Sequence, residues 1–196
     1  MKLLAFSDFH GLYGLVNHFR DVKKKILDTN PNLLVFCGDF RNRISIPLLE
    51  SRLRRLKFPE IYYVWGNDDE MEPKFELTVG TNLHLNPIKL DDNEHAIVGL
   101  GGDELDVKWN LEKLDSILSA KKFKNLILVS HIPPFGFCDY AVEGKHVGSK
   151  PLRTLIENHE PKLSIFGHIH EDSGKSAMLN EIRFWNVGPK GILINL

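Results

Sequence analysis

The sequence predicts an α/β fold. Three observations carry it: short apolar runs alternate with amphipathic stretches of helical period, the early runs follow a βαβαβ rhythm, and the chain closes on a β-rich tail. Consecutive strands joined through helices lie parallel, because a right-handed crossover needs a helix to return to the same sheet edge. The tail predicts extra, antiparallel strands.

The first apolar run, "LLAF", leads through "SDFHG" into residues 12 to 28, where Leu12, Leu15, Val16, Phe19, Ile26 and Leu27 recur roughly at helical spacing. "LLVFCGD" reads as a second strand, "IPLLESRLRRLK" as a helix with Pro47 near its first turn, and "IYYVWGN" as a third strand rich in β-formers. A looser middle holds two candidate strands, "LHLNPIKL" and "HAIVGLG". Beyond it, residues 105 to 120 read as a helix, "NLILVSH" as a strand, 149 to 159 as a helix and "KLSIFGH" as a strand. Two closing strands fall around "EIRFWNV" and "GILINL".

At 196 residues with 42% hydrophobic content, the chain can bury a sizeable core and is expected to form one domain over 1–196. A formal charge of -1 gives no basic field to recruit nucleic acid or an anionic membrane. The basic runs "KKK" at 23–25 and "RLRRLK" at 52–57 read as solvated helix faces. Neither a signal-peptide core nor a membrane-length apolar run is present, and Cys37 and Cys138 lack metal or redox spacing. The expectation is a cytoplasmic protein with reduced thiols and no membrane partner.

The residues just past each buried run are more informative. "LLAF" is succeeded by Ser7-Asp8-Phe9-His10, "LLVFC" by Gly38-Asp39, "IYYVW" by Gly66-Asn67-Asp68-Asp69, "LILVS" by His131, and "LSIF" by Gly167-His168-Ile169-His170. Ligands of open α/β sheets bind outside the carboxyl ends of the strands, so these loops converge although they span residues 8 to 170. Taken singly, Asp8 and Asp39 read as turn or cap residues, and His131 as a hydrogen-bonded histidine at the core edge. Together they read as a metal site.

Oxygen and imidazole donors without thiolate suit Mn, Fe, Ni or Zn rather than a cysteine-rich structural zinc. Asp8, His10, Asp39, Asn67, His131, His168 and His170 are too many for one tetrahedral ion, whereas two divalent ions sharing a carboxylate use the set fully. Gly38, Gly66 and Gly167 let the backbone turn close to such a site.

The ordered set Asp-x-His, Gly-Asp, Gly-Asn-x-Asp, His and Gly-His-x-His closely resembles the calcineurin-like metallophosphoesterases, and "FWNVGPKGILINL" resembles the end of their small prokaryotic members. The resemblance implies two packed mixed β-sheets flanked by α-helices, a four-layer sandwich. It implies Asp8, His10 and His170 on one ion, Asn67, His131 and His168 on the other, and Asp39 bridging, with Mn the first expectation for the metal. The implied chemistry is attack of metal-activated hydroxide on the phosphorus of a small phosphodiester or organic phosphate. Asp39, Asn67 and His131 would serve catalysis as well as binding. A homodimer is also plausible by resemblance.

One departure matters. Many relatives read Gly-Asn-His-Asp, where this chain has Asp68 in place of the histidine that assists the leaving group. A carboxyl with an ordinary pKa of about 3.9 is protonated in roughly one molecule in a thousand at pH 7, so Asp68 is a poor general acid. Relatives lacking that histidine imply activity on diesters with reasonable leaving groups. His146, in "EGKHVGSKPLR", stays open between an exposed loop histidine and a substrate or acid role. The loops at 71–82 and 135–148 carry no decodable pattern.

Three alternatives are set against this reading. A scaffold on the same fold would have shed ligands that are all present here. A nuclease would ordinarily carry added segments for which the chain has little room. A metallo-β-lactamase-type enzyme is suggested only by "HIHED", which lies late in the chain and continues with Ser173.

Overall fold

Leu3, Ala5, Leu33 and Val35 point one way from their strands and Leu4, Phe6, Leu34 and Phe36 the other, and all are buried. Strands apolar on both faces must be covered on both, and the fold does so with a second sheet inside and helices outside. A computed structural model describes the chain except residues 41–44, 57, 59, 70–75, 92–93, 122 and 143, and the side chains of 11–13, 15, 45 and 46. The expected helix-face positions Leu12 and Leu15, Lys57 of the basic run and residues 71–75 of the first loop therefore lie outside the described side chains.

The first sheet holds β1 (Lys2–Phe6), β2 (Leu33–Cys37), β3 (Ile61–Val64), β4 (Thr81–Asn82) and β11 (Ile192–Asn195), in the order β11-β1-β2-β3-β4. The second holds β5 (Ile88–Lys89), β6 (His95–Leu100), β7 (Asn125–Ser130), β8 (Leu163–Phe166), β9 (Ser176–Leu179) and β10 (Ile182–Asn186), in the order β5-β6-β7-β8-β10-β9. Between them Leu3, Val35 and Cys37 meet Ile97, Val129 and Ile165 in one core. On the outside of the first sheet, α1 (Gly11–Thr29) and α2 (Ser45–Leu56) bury Phe19, Val22, Leu49 and Leu53. Outside the second, α3 (Glu104–Ala120) and α4 (Lys150–His159) bury Val107, Leu114, Leu152 and Ile156. The result is the expected helix–sheet–sheet–helix sandwich.

The helix limits reflect local chemistry. Asp103 caps α3 by accepting the N–H groups of Leu105 and Asp106, and Asp106 returns a bond to the Asp103 N–H in a capping box. Ser149 caps α4 through the Leu152 N–H, with Pro151 in the first turn.

One expectation about strands is corrected and one unexpected strand is added. "LHLNPIKL" contains only Ile88–Lys89 as a strand and one bridge at His84, because Leu85 takes a left-handed conformation (φ 54°) and Pro87 lacks an N–H. The strand expected at "EIRFWNV" is β10, which pairs antiparallel with β9, a strand the apolar pattern does not reveal, and parallel with β8. Ser176–Leu179 is an edge strand alternating between exposed and half-buried residues, so it presents no apolar run. The final strand does pair antiparallel, with β1.

The ordering positions the site. Strands β1, β2 and β3 are parallel in one sheet and β7 and β8 in the other, so the residues after them emerge together at carboxyl ends.

Candidate metal centre

The loops after these strands are tied to one another by backbone bonds. The Asp8 N–H donates to the Gly38 carbonyl (3.1 Å), the His10 N–H to the Asp39 carbonyl (3.0 Å) and the Gly167 N–H to the His131 carbonyl (3.1 Å). Asp8 also accepts the His168 N–H on its carboxylate, at 3.1 and 3.2 Å. Residues 160 positions apart are thereby held in one frame.

That frame is strained. Asp8, His10, Asp39 and His168 all have left-handed backbone, with φ of 59°, 47°, 58° and 70°. For non-glycine residues this costs on the order of 1–3 kcal/mol each, and such conformations cluster where function demands them. The neighbouring glycines have no alternative. A Cβ on Gly66 would stand 2.0 Å from Asp39 Oδ1, and one on Gly167 would stand 2.4 Å from Ser7 Oγ.

The donor atoms fall into two connected groups. In the first, His10 Nε2 lies 2.8 Å from His170 Nε2, and the Asp8 Oδ1 atom is 3.9 and 3.7 Å from those nitrogens. In the second, His131 Nε2 lies 2.9 Å from Asn67 Oδ1, 3.2 Å from His168 Nδ1 and 3.4 Å from Asp39 Oδ1. Asp39 turns its other oxygen, Oδ2, toward His10 Nδ1 at 3.7 Å. Its two oxygens thus face the two groups.

These distances suit divalent ions. With ligand bonds of about 2.0–2.2 Å, neighbouring donors around one ion stand about 3–3.5 Å apart, and imidazole nitrogens aimed at each other and at carboxylates form such a set. Asp8, His10 and His170 could hold an ion on one side, and Asp8, Asp39 and His131 on the other. The imidazole orientation is fixed from behind: His131 Nδ1–H donates to the Cys37 carbonyl at 2.7 Å, which turns Nε2 inward.

Burial pushes the carboxyl of Asp8 up, but His170, His131 and Ser7 outweigh it and hold it below the usual range; Asp39 is held down in the same way by His131, the Asp68 N–H and His10. Burial disfavours charge on His131, yet the hydrogen bond and charge of Asp39 lift it to about 9. Burial and the charge of His131 push His168 down, while the Asp8 hydrogen bond raises His170. Without an ion, His131 therefore carries a proton that a bound cation would displace.

Three further acceptors and donors hold the loops: Asp69, which closes the Gly-Asn-x-Asp motif, Ser7, and Asp139 in the loop before α4. Asp69 is buried and accepts the N–H groups of Asp39 and Gly66 on one oxygen. Ser7 Oγ donates to Asp8 at 2.5 Å. Asp139, fully buried, faces His146 Nδ1 at 2.5 Å and accepts the N–H groups of Gly136 and Gly148. Asp69 is itself a motif position, only adjacency to Asp8 could have flagged Ser7, and nothing in the sequence flags Asp139. Asp68 is half-buried, 3.4 Å from His10 Nδ1. Trp65 and Phe137 pack as core aromatics, on His84 and Phe184 respectively.

Residues 1–172 match the family profile of the calcineurin-like phosphoesterases. The chain belongs to that family. Its members use divalent metals to hydrolyse phosphoric esters, and Asp and His clusters able to hold such ions are in place here. Among relatives, protein MJ1162 of Methanocaldococcus jannaschii is 30% identical over 211 aligned positions, covering 99% of this chain and 91% of that one. The calcineurin-like fold recurs in the crystal structure of TT1561 of Thermus thermophilus, with a TM-score of 0.70 at 16% identity over 96% of this chain and 90% of that one. A structure described as a novel archaeal phosphodiesterase shares it with a TM-score of 0.52 at 16% identity, over 96% and 84% of the two chains.

Proposed function

We propose that the chain is a dinuclear metal-dependent phosphoesterase acting on small phosphodiesters. The observation that supports it most is the placement of Asp39, whose Oδ1 faces the His131 group while Oδ2 faces His10. A carboxylate so placed suits a bridge between two ions, with Asp8, His10 and His170 holding one and Asn67, His131 and His168 the other. Mn is the first expectation, and Fe, Ni or Zn fit the same donors. When bound, the ions supply Lewis acidity to water and to the phosphoryl oxygens.

The chain's own residues supply orientation. Ser7 and the His168 N–H hold Asp8, Asp69 and the Asp68 N–H hold Asp39, and the Cys37 carbonyl holds His131. Once a bound cation has displaced the His131 proton, the imidazoles would be neutral donors with lone pairs inward, leaving the centre's positive charge for the phosphate.

Preference for diesters rests on the groups the site does not supply. Asp68 stands where a histidine acid is expected, so leaving groups that depart without a protein proton are favoured. The described residues lining the cavity beside His10 and His170 include neither lysine nor arginine, so none of them offers a direct partner to the second negative charge of a monoester. No described helix is long and apolar enough to cross a membrane. We place the protein in the cytoplasm, with its two cysteines free.

The test compares a chromogenic diester with the matching monoester, using metal-stripped protein resupplied separately with Mn, Ni, Zn and Mg and Asp39→Ala as the blank. Metal-dependent diester cleavage absent from the blank is expected. No turnover with any metal, despite confirmed uptake, would overturn the proposal and favour a scaffold.

A further inference from the structure

Beside the His10 and His170 end of the centre lies a cavity of about 400 Å³, within the range of small-molecule sites at roughly 300–1,000 Å³. Its far walls are made by residues that have no place among the metal donors: Phe9, Gly14, His18, Ser173 and Pro189. The cavity therefore extends from the reacting centre into a chamber with its own chemistry.

The shape of that chamber is set by two residues of α1 on one face, four positions apart. Gly14 must be bare, because a Cβ there would stand 1.7 Å from the Phe9 carbonyl oxygen; this wall is backbone, and no L side chain can fill the space above it. His18 contributes the ring. Its imidazole is half-buried and lies nearly parallel to the Phe9 ring, at 14° and 6.2 Å between centroids. Phe9 is itself clamped edge-on against Phe36 and tilted against Phe6, and is 2% exposed. The plane of His18 is thereby backed by a fixed aromatic stack, and Pro189 and Ser173 line the same cavity.

The chemistry of the walls narrows the occupant. No lysine or arginine is among the described lining residues, and the one carboxylate, Asp8, is buried and engaged by Ser7 and the His168 N–H. Among the described lining residues an acidic arm meets no lysine or arginine and a basic arm no free carboxylate. A neutral flat ring has a parallel imidazole to lie on, and Ser173 offers a hydroxyl for its edge.

We propose that this cavity is a subsite for one ester arm of the substrate, an arm carrying a neutral aromatic or heteroaromatic ring that stacks on His18 while its phosphoryl group sits at the His10 and His170 mouth. The subsite rests on the phosphodiesterase reading above and names the substrate class within it. Aryl groups and nucleobases share this chemistry.

The experiment is calorimetric titration of the metal-loaded protein with methyl phosphate, phenyl phosphate and thymidine 5′-phosphate, in the wild type, His18→Ala and His18→Phe. One aromatic contact is expected to make a ring-bearing phosphate bind about three- to tenfold more tightly than methyl phosphate. His18→Ala should bring that ratio close to one and His18→Phe, which keeps a flat face, should retain it. The ligand with the larger ratio identifies the source, aryl or nucleoside. Methyl phosphate that binds with no advantage for either ring, or an advantage that survives His18→Ala, overturns the subsite and leaves the phosphodiesterase reading intact. Absence of methyl phosphate binding together with absence of diester turnover overturns both.

Discussion

The Asp69 carboxylate holds Asp39 by its backbone. Asp69 Oδ2 accepts the Asp39 N–H at 3.0 Å and the Gly66 N–H at 2.7 Å, so one buried oxygen pins together the loops after β2 and β3. Each buried N–H left without a partner costs on the order of 1–3 kcal/mol. Asp69→Ala is expected to lower the melting temperature by several degrees and to reduce bound metal, whereas Asp69→Asn, which keeps an accepting oxygen, retains most of both. Thermal denaturation paired with elemental analysis checks this, and equal losses in the two variants would assign the effect to the charge instead.

Asp68 and Asp39 should separate sharply. Asp39 is 2% exposed and faces both donor groups, while the Asp68 side chain is 33% exposed and meets the centre from its edge, 3.4 Å from His10 Nδ1 and accepting the Asn67 amide N–H at 3.0 Å. Asp39→Ala is predicted to lose at least one equivalent of metal and turnover by more than about a thousandfold, the scale of removing an electrostatic element of a site. Asp68→Ala should cost less than about tenfold. Metal content and initial rates on a chromogenic diester decide, and comparable losses would make Asp68 a participant in the chemistry.

His84 gives the fold an acid limit away from the centre. Its Nδ1 accepts the Gly101 N–H at 3.1 Å while its ring lies tilted against Trp65, and burial, reinforced by Lys113, lowers its pKa from 6.5 to about 4. The folded state thus binds this proton less readily than the unfolded state, so stability present above pH 6.5 declines as pH falls toward about 4. As pH is stepped down from about 6.5 to about 5, the urea midpoint of the wild type should lose ground to that of His84→Asn. Parallel declines in the two proteins would assign the acid limit to another group.

His146 is tied to a fully buried partner, Asp139, and its ring lies against Tyr140 (4.0 Å) and Phe135 (5.5 Å). We assign the pair to holding the loop between β7 and α4, since Asp139 also gathers the Gly136 and Gly148 N–H groups. Removing the imidazole leaves a buried acceptor short of a partner, and His146→Ala is expected to lose about 1–3 kcal/mol of stability. Hydrolysis of esters with good leaving groups should change only a few-fold. If rates instead fell in proportion to the leaving group's basicity, His146 would be the missing acid.

Much of the architecture was legible because burial leaves a periodic trace. Runs such as "LLVFC" are apolar on both faces, and that pattern alone requires cover on both sides of the sheet. It failed at β9 and within "LHLNPIKL", where an edge position and a left-handed Leu85 before Pro87 break the link between hydrophobicity and strand.

By itself the sequence determined which donor types succeed which strands, because a ligand's chemistry is a property of its residue and its place after an apolar run. Only the tertiary structure decided how those donors meet. Left-handed backbone at Asp8, His10, Asp39 and His168, the inward turn of His131 Nε2 by the Cys37 carbonyl, and the division of Asp39's oxygens between two groups arise from contacts between distant loops. The same holds for the chamber beside His18, whose bare wall at Gly14 exists because the Phe9 carbonyl fills the space a side chain would need. Such contacts depend on how the chain is packed in space, and the local pattern of residues carries no record of them.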